Sequence, residues 1–217
     1  MKKFGLLLCT MFAGILTMYG QGAKNIKINE VLTNNTANLQ DEFGNRRAWV
    51  ELANTSFSTY DVRGMYITTD RRVLNKGLSV PQRIKMMSCI PNGDSRTSMS
   101  AREHLLFFLN SNPSHGTLHL SAKTDSCKPT WIALYDGNAI DIIDSITVPP
   151  LAANQSYARV KDGAKEWVVK NSESVTPGIE NYIHVNETKI AKLKREDPYG
   201  FGITVLSMGI VFSCLAL

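Results

Sequence analysis

The chain has 217 residues and a formal net charge of +5, with 43% hydrophobic and 20% charged residues. That length accommodates one domain of ordinary size plus terminal segments. The cations are scattered, in pairs such as Arg46-Arg47 and Arg71-Arg72 and at the two ends, rather than gathered into one stripe; this argues against nucleic-acid binding.

Lys2-Lys3, the apolar run from Phe4 to Leu16 and the small, polar stretch Gly20-Gln21-Gly22-Ala23 have the three-part pattern of a secretory signal peptide over residues 1–22. From 25 to 178 the pattern changes to short apolar runs divided by turn signals. Ile26-Lys27-Ile28, Trp49-Val50-Glu51-Leu52, Met65 to Thr68, His104 to Leu109, Gly116 to Leu120, Trp131 to Tyr135 and Ile140 to Val148 read as strands. Glu42 to Asn45, Pro91 to Asp94, Asp136-Gly137-Asn138, Pro149-Pro150 and Lys161-Asp162-Gly163 read as turns. Short strands at this spacing predict a mostly β fold, an antiparallel sandwich.

The order of these elements carries a resemblance. Ile28-Asn29-Glu30-Val31, then Trp49 to Leu52 with Asn54, then Gly64 to Asp70, resembles a lamin-tail domain. So do Ile132 to Asp136, Asp144-Ser145-Ile146, Gln155-Ser156-Tyr157-Ala158-Arg159, Asp162-Gly163, Trp167 and Thr176-Pro177-Gly178. The resemblance implies an immunoglobulin-like sandwich that interacts rather than catalyses. Two features depart from the family: Ala158 stands where glycine is usual, and the segment 71–100 is longer and more polar.

Residues 179–197 read as a basic linker, with Lys189, Lys192, Lys194 and Arg195 beside the last segment. Residues 198–217 carry no charge, and a helix over them would be about 30 Å long, near the hydrocarbon thickness of a bilayer. A transmembrane helix, cut short at Leu217, is therefore expected, with Asp197-Pro198 as its start. Gly202, Gly209, Ser213 and Ala216 form a stripe of small residues suited to helix packing. Cations beside a membrane helix usually face the cytoplasm; the leader, which acts first, places this side outside.

Leu206-Ser207-Met208-Gly209-Ile210-Val211-Phe212 with Cys214 to Leu217 resembles the membrane helix of the gamma subunit of sodium-pumping oxaloacetate decarboxylase, with Ser207 in place of a glycine. That resemblance implies a non-catalytic, single-pass subunit of the bacterial inner membrane with the sandwich on the periplasmic side. It implies two partners, a biotin-dependent alpha subunit and a polytopic beta subunit that carries the sodium ion, and no cofactor on this chain. The other reading is a membrane-anchored module that binds protein or glycan outside the cell membrane.

No nucleophile elbow, phosphate-binding glycine loop or paired-cysteine zinc pattern occurs, so no catalytic residue is assigned. Glu51, Asn54 and Asp70 have two readings, a metal site or the holders of turns and strand ends. Trp49, Tyr66, Trp131 and Trp167 are either core or a stacking surface. His115 and His119 lie four apart, but on a strand that spacing separates the rings by roughly 13 Å and excludes a shared metal. Cys89 and Cys127 are either a disulfide or two free thiols.

Overall fold

A computed structural model describes residues 22–182 and 199–215. The predicted leader but for Gly22, positions 183–198 of the predicted linker and helix start, and Ala216 and Leu217 lie outside the described residues. The chain divides into two units, Met1–Tyr182 and Ile183–Leu217.

The first unit is built from antiparallel strands. One sheet has five, in the order β11 (Trp167–Lys170), β10 (Ser156–Arg159), β1 (Ile26–Leu32), β2 (Trp49–Asn54) and β7 (His104–Phe108). A second has four: β5 (Ser88–Cys89), β4 (Tyr66–Thr68), β8 (Thr130–Tyr135) and β9 (Ile142–Val148). A small pair joins β3 (Tyr60–Asp61) to β6 (Ser98–Met99). The two larger sheets share one apolar core, to which the first gives Ile26, Ile28, Val50, Leu52, Leu105 and Phe107 and the second gives Ile67, Ile132 and Leu134. This is the arrangement of a β-sandwich.

The central strands are buried on both faces, which explains why their apolar alternation is weak in the sequence. On β8, Ile132 and Leu134 face the shared core, while Trp131, Ala133 and Tyr135 join Val73 in a second cluster on the outer face. Val73 belongs to the long polar segment after β4. That segment holds a 3₁₀ turn (Arg71–Leu74) and one short helix, α1 (Val80–Ile84), and so covers the outer face of the four-stranded sheet. On β2, Val50 and Leu52 face the core, while Trp49 packs with Leu32 and Phe108 on the other side.

A bulge sets the faces of β1. Its register against β2 shifts between Ile28 and Glu30. Before the bulge Ile26 and Ile28 enter the core; after it Val31 does, so Glu30 is turned to the opposite face. The Ile28 backbone is satisfied by side chains instead: its N–H donates to Asp144 Oδ2 at 2.9 Å, and its carbonyl accepts from Arg159 Nε at 2.7 Å. Arg159 also bonds Asp144 at 2.7 Å, so one ion pair seals the bulge against β9 and β10.

The segment Gly116 to Leu120 departs from the predicted strand. It follows a 3₁₀ turn (Pro113–His115), and only one isolated bridge, Phe108 with His119, joins it to a sheet. Gly116, at φ +141°, makes the turn that brings the His115 and His119 rings to 5.6 Å, not the distance expected of a strand.

In the second unit, α2 (Gly200–Leu215) has 16 residues, about 24 Å at ~1.5 Å per residue. Among the described residues no helix is long and apolar enough to cross a membrane. Of the residues 198–217 expected to span a membrane, a helix over Gly200–Leu215 is what is described, and it falls short of that length.

Candidate functional site

After β11 the chain crosses the outer face of the five-stranded sheet as a strap, residues 171–182, held by three carboxylates. Glu30 of β1 is fully buried. It accepts from Thr176 Oγ1 at 2.8 Å, from the Thr176 N–H at 3.3 Å and from Ser156 Oγ. Glu51 of β2 accepts from the Gly178 N–H at 2.6 Å and from Asn29 Nδ2 at 3.0 Å. Asp162, in the turn between β10 and β11, accepts from the Asn181 N–H at 3.0 Å and pairs with His104 Nε2 at 2.9 Å. Lys170 supplies the opposite charge: its ammonium donates to Thr176 Oγ1 at 2.5 Å and Asn181 Oδ1 at 2.9 Å and lies 3.5 Å from Glu30.

These groups titrate differently because their surroundings differ. Burial pushes the Glu51 carboxyl up to about 7, against the hydrogen bonds from Asn29 and Gly178 and with help from the nearby Glu30 charge. Burial also raises Asp162, but hydrogen bonds from His104, the Asn181 backbone and Asn29 outweigh it and hold the carboxyl at about 2. For His104 burial disfavours the imidazolium, yet the Asp162 hydrogen bond and the Glu51 and Asp162 charges raise it overall. Burial lowers Lys170, and Glu30 offsets part of that. The Ser156 and Thr176 hydroxyls and the Lys170 ammonium are all engaged in these bonds, and the arrangement fastens the strap.

Asn54 and Asp70 are far from this cluster in role. Asn54 Nδ2 donates to the Ser58 carbonyl at 2.8 Å and the Ser100 carbonyl at 2.9 Å, and Asp70 caps the Arg71–Leu74 turn through the Arg72 N–H at 3.0 Å. Among the described residues no group of three or more His, Cys, Asp or Glu is placed to hold a metal ion. His119, although close to His115, is bonded to Ser111 Oγ at 2.8 Å and Glu42 Oε2 at 2.9 Å. The aromatic residues do not form one surface. Trp49 packs with Leu32 and Phe108, Tyr66 and Trp131 belong to the second cluster, and Trp167 stacks on Tyr157 at 5.2 Å. Cys89 and Cys127 are both free and exposed, so the disulfide reading is not realised here.

A concave feature lies beyond the strap. A trough of about 560 Å³ runs between the end of β4 and the loop entering β8, lined among others by Arg71, Lys123, Lys128, Trp131 and Thr147. A second recess of about 320 Å³ shares Thr69, Asp70 and Lys123 with it, and adds Lys85.

On α2 the large apolar side chains Ile203, Val205, Leu206, Met208, Ile210, Val211 and Phe212 are all exposed, each by more than half. They point in every direction around the axis. Gly202 is open, with nothing within 4 Å of where a Cβ would stand, and Ser213 is exposed. The contacts of Gly209 and the whole of Ala216 lie outside what is described, so the predicted stripe is seen at two of its four positions.

No family model matches the chain, and neither a curated protein nor a solved structure matches it. Of the strap cluster sequence reasoning singled out Glu51 alone, and it missed the rest of the cluster and the trough. The signals were a glutamate ahead of an apolar pair, Glu30 before Val31-Leu32, a lysine ending an apolar run, Lys170 after Trp167-Val168-Val169, and isolated cations in loops.

Proposed function

We propose that this chain is a non-catalytic, membrane-anchoring and assembly subunit of a sodium-translocating decarboxylase of oxaloacetate or a related carboxylic acid. The observation that carries the reading is α2: 16 residues without a charge, their large apolar side chains exposed all round. In water each such side chain would forgo roughly 1.5–3 kcal/mol of burial, so the helix calls for an apolar surrounding. A helix that is hydrophobic on all sides belongs in a protein core or in lipid. The described helix is shorter than a bilayer core of ~30 Å; the reading requires residues on either side of it to complete the span. The Met208 to Phe212 run supplies the resemblance to the decarboxylase gamma subunit.

In this reading the β unit is an immunoglobulin-like, lamin-tail-like module on the periplasmic side of the bacterial inner membrane. The helix packs on the polytopic beta subunit, through which sodium leaves as decarboxylation proceeds, and biotin is carried by the alpha subunit. The contribution of this chain is positional, because tethering raises the effective concentration of a soluble partner at the pump. Mild solubilisation of membranes followed by isolation of this chain tests it. Recovery of a biotinylated protein together with a polytopic one is expected. Their absence, under conditions in which a known membrane complex from the same preparation stays whole, would overturn the proposal.

A further inference from the structure

We infer that the trough beside β8 binds an acidic saccharide, a sugar chain bearing carboxylate or sulfate groups. The inference concerns the β unit alone and does not depend on the decarboxylase reading. The larger recess, about 560 Å³, falls within the usual range of small-ligand sites, roughly 300–1,000 Å³. Thr69, Asp70 and Lys123 line both recesses, so the two adjoin, and the path is the two taken together.

Charge selects the ligand. Two acids line the path, and both are already engaged: Asp70 with Arg72 at 2.5 Å and Asp125 with Lys128 at 3.6 Å. Arg71, Lys85 and Lys123 have no carboxylate partner among the described residues. The path therefore keeps an excess of positive charge, and its concave walls concentrate the field of those cations on whatever enters. Arg71 is also oriented. One of its Nη atoms donates to Thr147 Oγ1 at 3.0 Å, and its guanidinium carbon lies 5.9 Å from the centre of the Trp131 ring. A guanidinium fixed along one edge presents its remaining N–H groups as a fork for a planar carboxylate or a sulfate.

Other occupants fit less well. A protein partner needs a large apolar anchor to bury, whereas the only aromatic residue in either lining is Trp131, itself 9% exposed and lying beneath Arg71. A nucleic-acid strand needs open aromatic faces on which bases stack, and none is offered. An acidic sugar chain needs cations for its charged groups and hydroxyl or carbonyl partners for its ring hydroxyls, and the threonines of the lining supply the latter.

The test is isothermal titration of the full chain in detergent with tetragalacturonate, with a heparin tetrasaccharide as the sulfate arm and cellotetraose as the neutral control. Binding of at least one acidic probe and not of the neutral one is expected, weakening as salt rises from about 0.05 to 0.5 M. The exposed-site double variant Arg71→Ala/Lys123→Ala should lose roughly tenfold or more in affinity, the effect of removing charge-assisted hydrogen bonds. Lys161→Ala/Lys165→Ala, an equal charge change at the β10–β11 turn, should leave it unaltered. No binding of either acidic probe, equal losses in both double variants, or tighter binding of a single-stranded oligonucleotide or an acidic peptide would each overturn the assignment.

Discussion

Glu51→Gln tests whether the strap is held by a carboxylate that resists ionisation. In the folded chain Glu51 titrates at about 7, against 4.5 for an ordinary glutamate. Between those values the folded state keeps a proton that the unfolded state has released. Stability from this group therefore falls as pH rises from about 4.5 to about 7, is fully reduced above 7, and is unaffected below 4.5 where both states are protonated. At ~1.4 kcal/mol for each tenfold change, the loss is about 3 kcal/mol. His104 acts in the same sense: its folded value is raised, so its contribution is complete below 6.5 and is lost as pH climbs through the folded value. The assay is guanidinium unfolding at pH 5, 6, 7 and 8, followed by tryptophan fluorescence, because Trp49, Trp131 and Trp167 all lie in the β unit. With a slope of about 3–4 kcal/mol/M, the Glu51 contribution shifts the midpoint by roughly 1 M. The amide of Glu51→Gln cannot ionise, so its midpoint should fall less from pH 5 to pH 8, with His104 supplying the remainder. Parallel pH profiles for the wild type and Glu51→Gln would refute the reasoning.

Lys170→Met leaves the Glu30 carboxylate buried without its cation and should cost about 3–5 kcal/mol, while adding Glu30→Gln should recover a large part of it; a double-mutant cycle in denaturant measures both. Gly163 has φ +69°, and a Cβ there would meet Thr55 Cγ2 at 2.7 Å. Gly163→Ala should thus destabilise by about 1–3 kcal/mol, and Thr55→Ser in the same chain should relieve the contact part but not the backbone part, as read by thermal unfolding.

The legible parts of the fold were those with local causes. The strands with an alternating or continuous apolar run, such as Trp49 to Leu52 and Trp131 to Tyr135, formed where expected because burial alone decides them. Gly116 to Leu120 was misread because its apolar residues fill a turn that docks on Phe108, a tertiary effect that overrides the period-two pattern. The role of the polar stretch after β4 was not legible either. Val73, with Met86 and Met87, seats it against Trp131, Ala133 and Tyr135, and three apolar side chains scattered over that length make no periodic signal. Nor was the strap cluster readable, since it gathers residues as distant as Glu30 and Asn181, and its geometry follows from a bulge that no motif marks.

The strap has a mechanical consequence. Among the described residues β11 is an edge strand, paired with β10 alone, and an edge strand pulled from its end can be peeled one pair at a time. The chain continues past Tyr182 into the second unit, so tension on that connection enters the β unit through residues 171–182. Thr176, Gly178 and Asn181 spread it onto β1, β2 and the β10–β11 turn together. Asn181 is the outermost of these fasteners, and its side chain also bonds the Asn29 carbonyl at 2.9 Å and Lys170. Asn181→Ala should accordingly raise amide exchange at Thr176 and Gly178 by about tenfold or more, the loss of one or two buried hydrogen bonds. Exchange within β2 and β8 should stay as it was. If exchange instead rises evenly through both sheets, the strap opens only when the whole sandwich does, and it bears no load of its own.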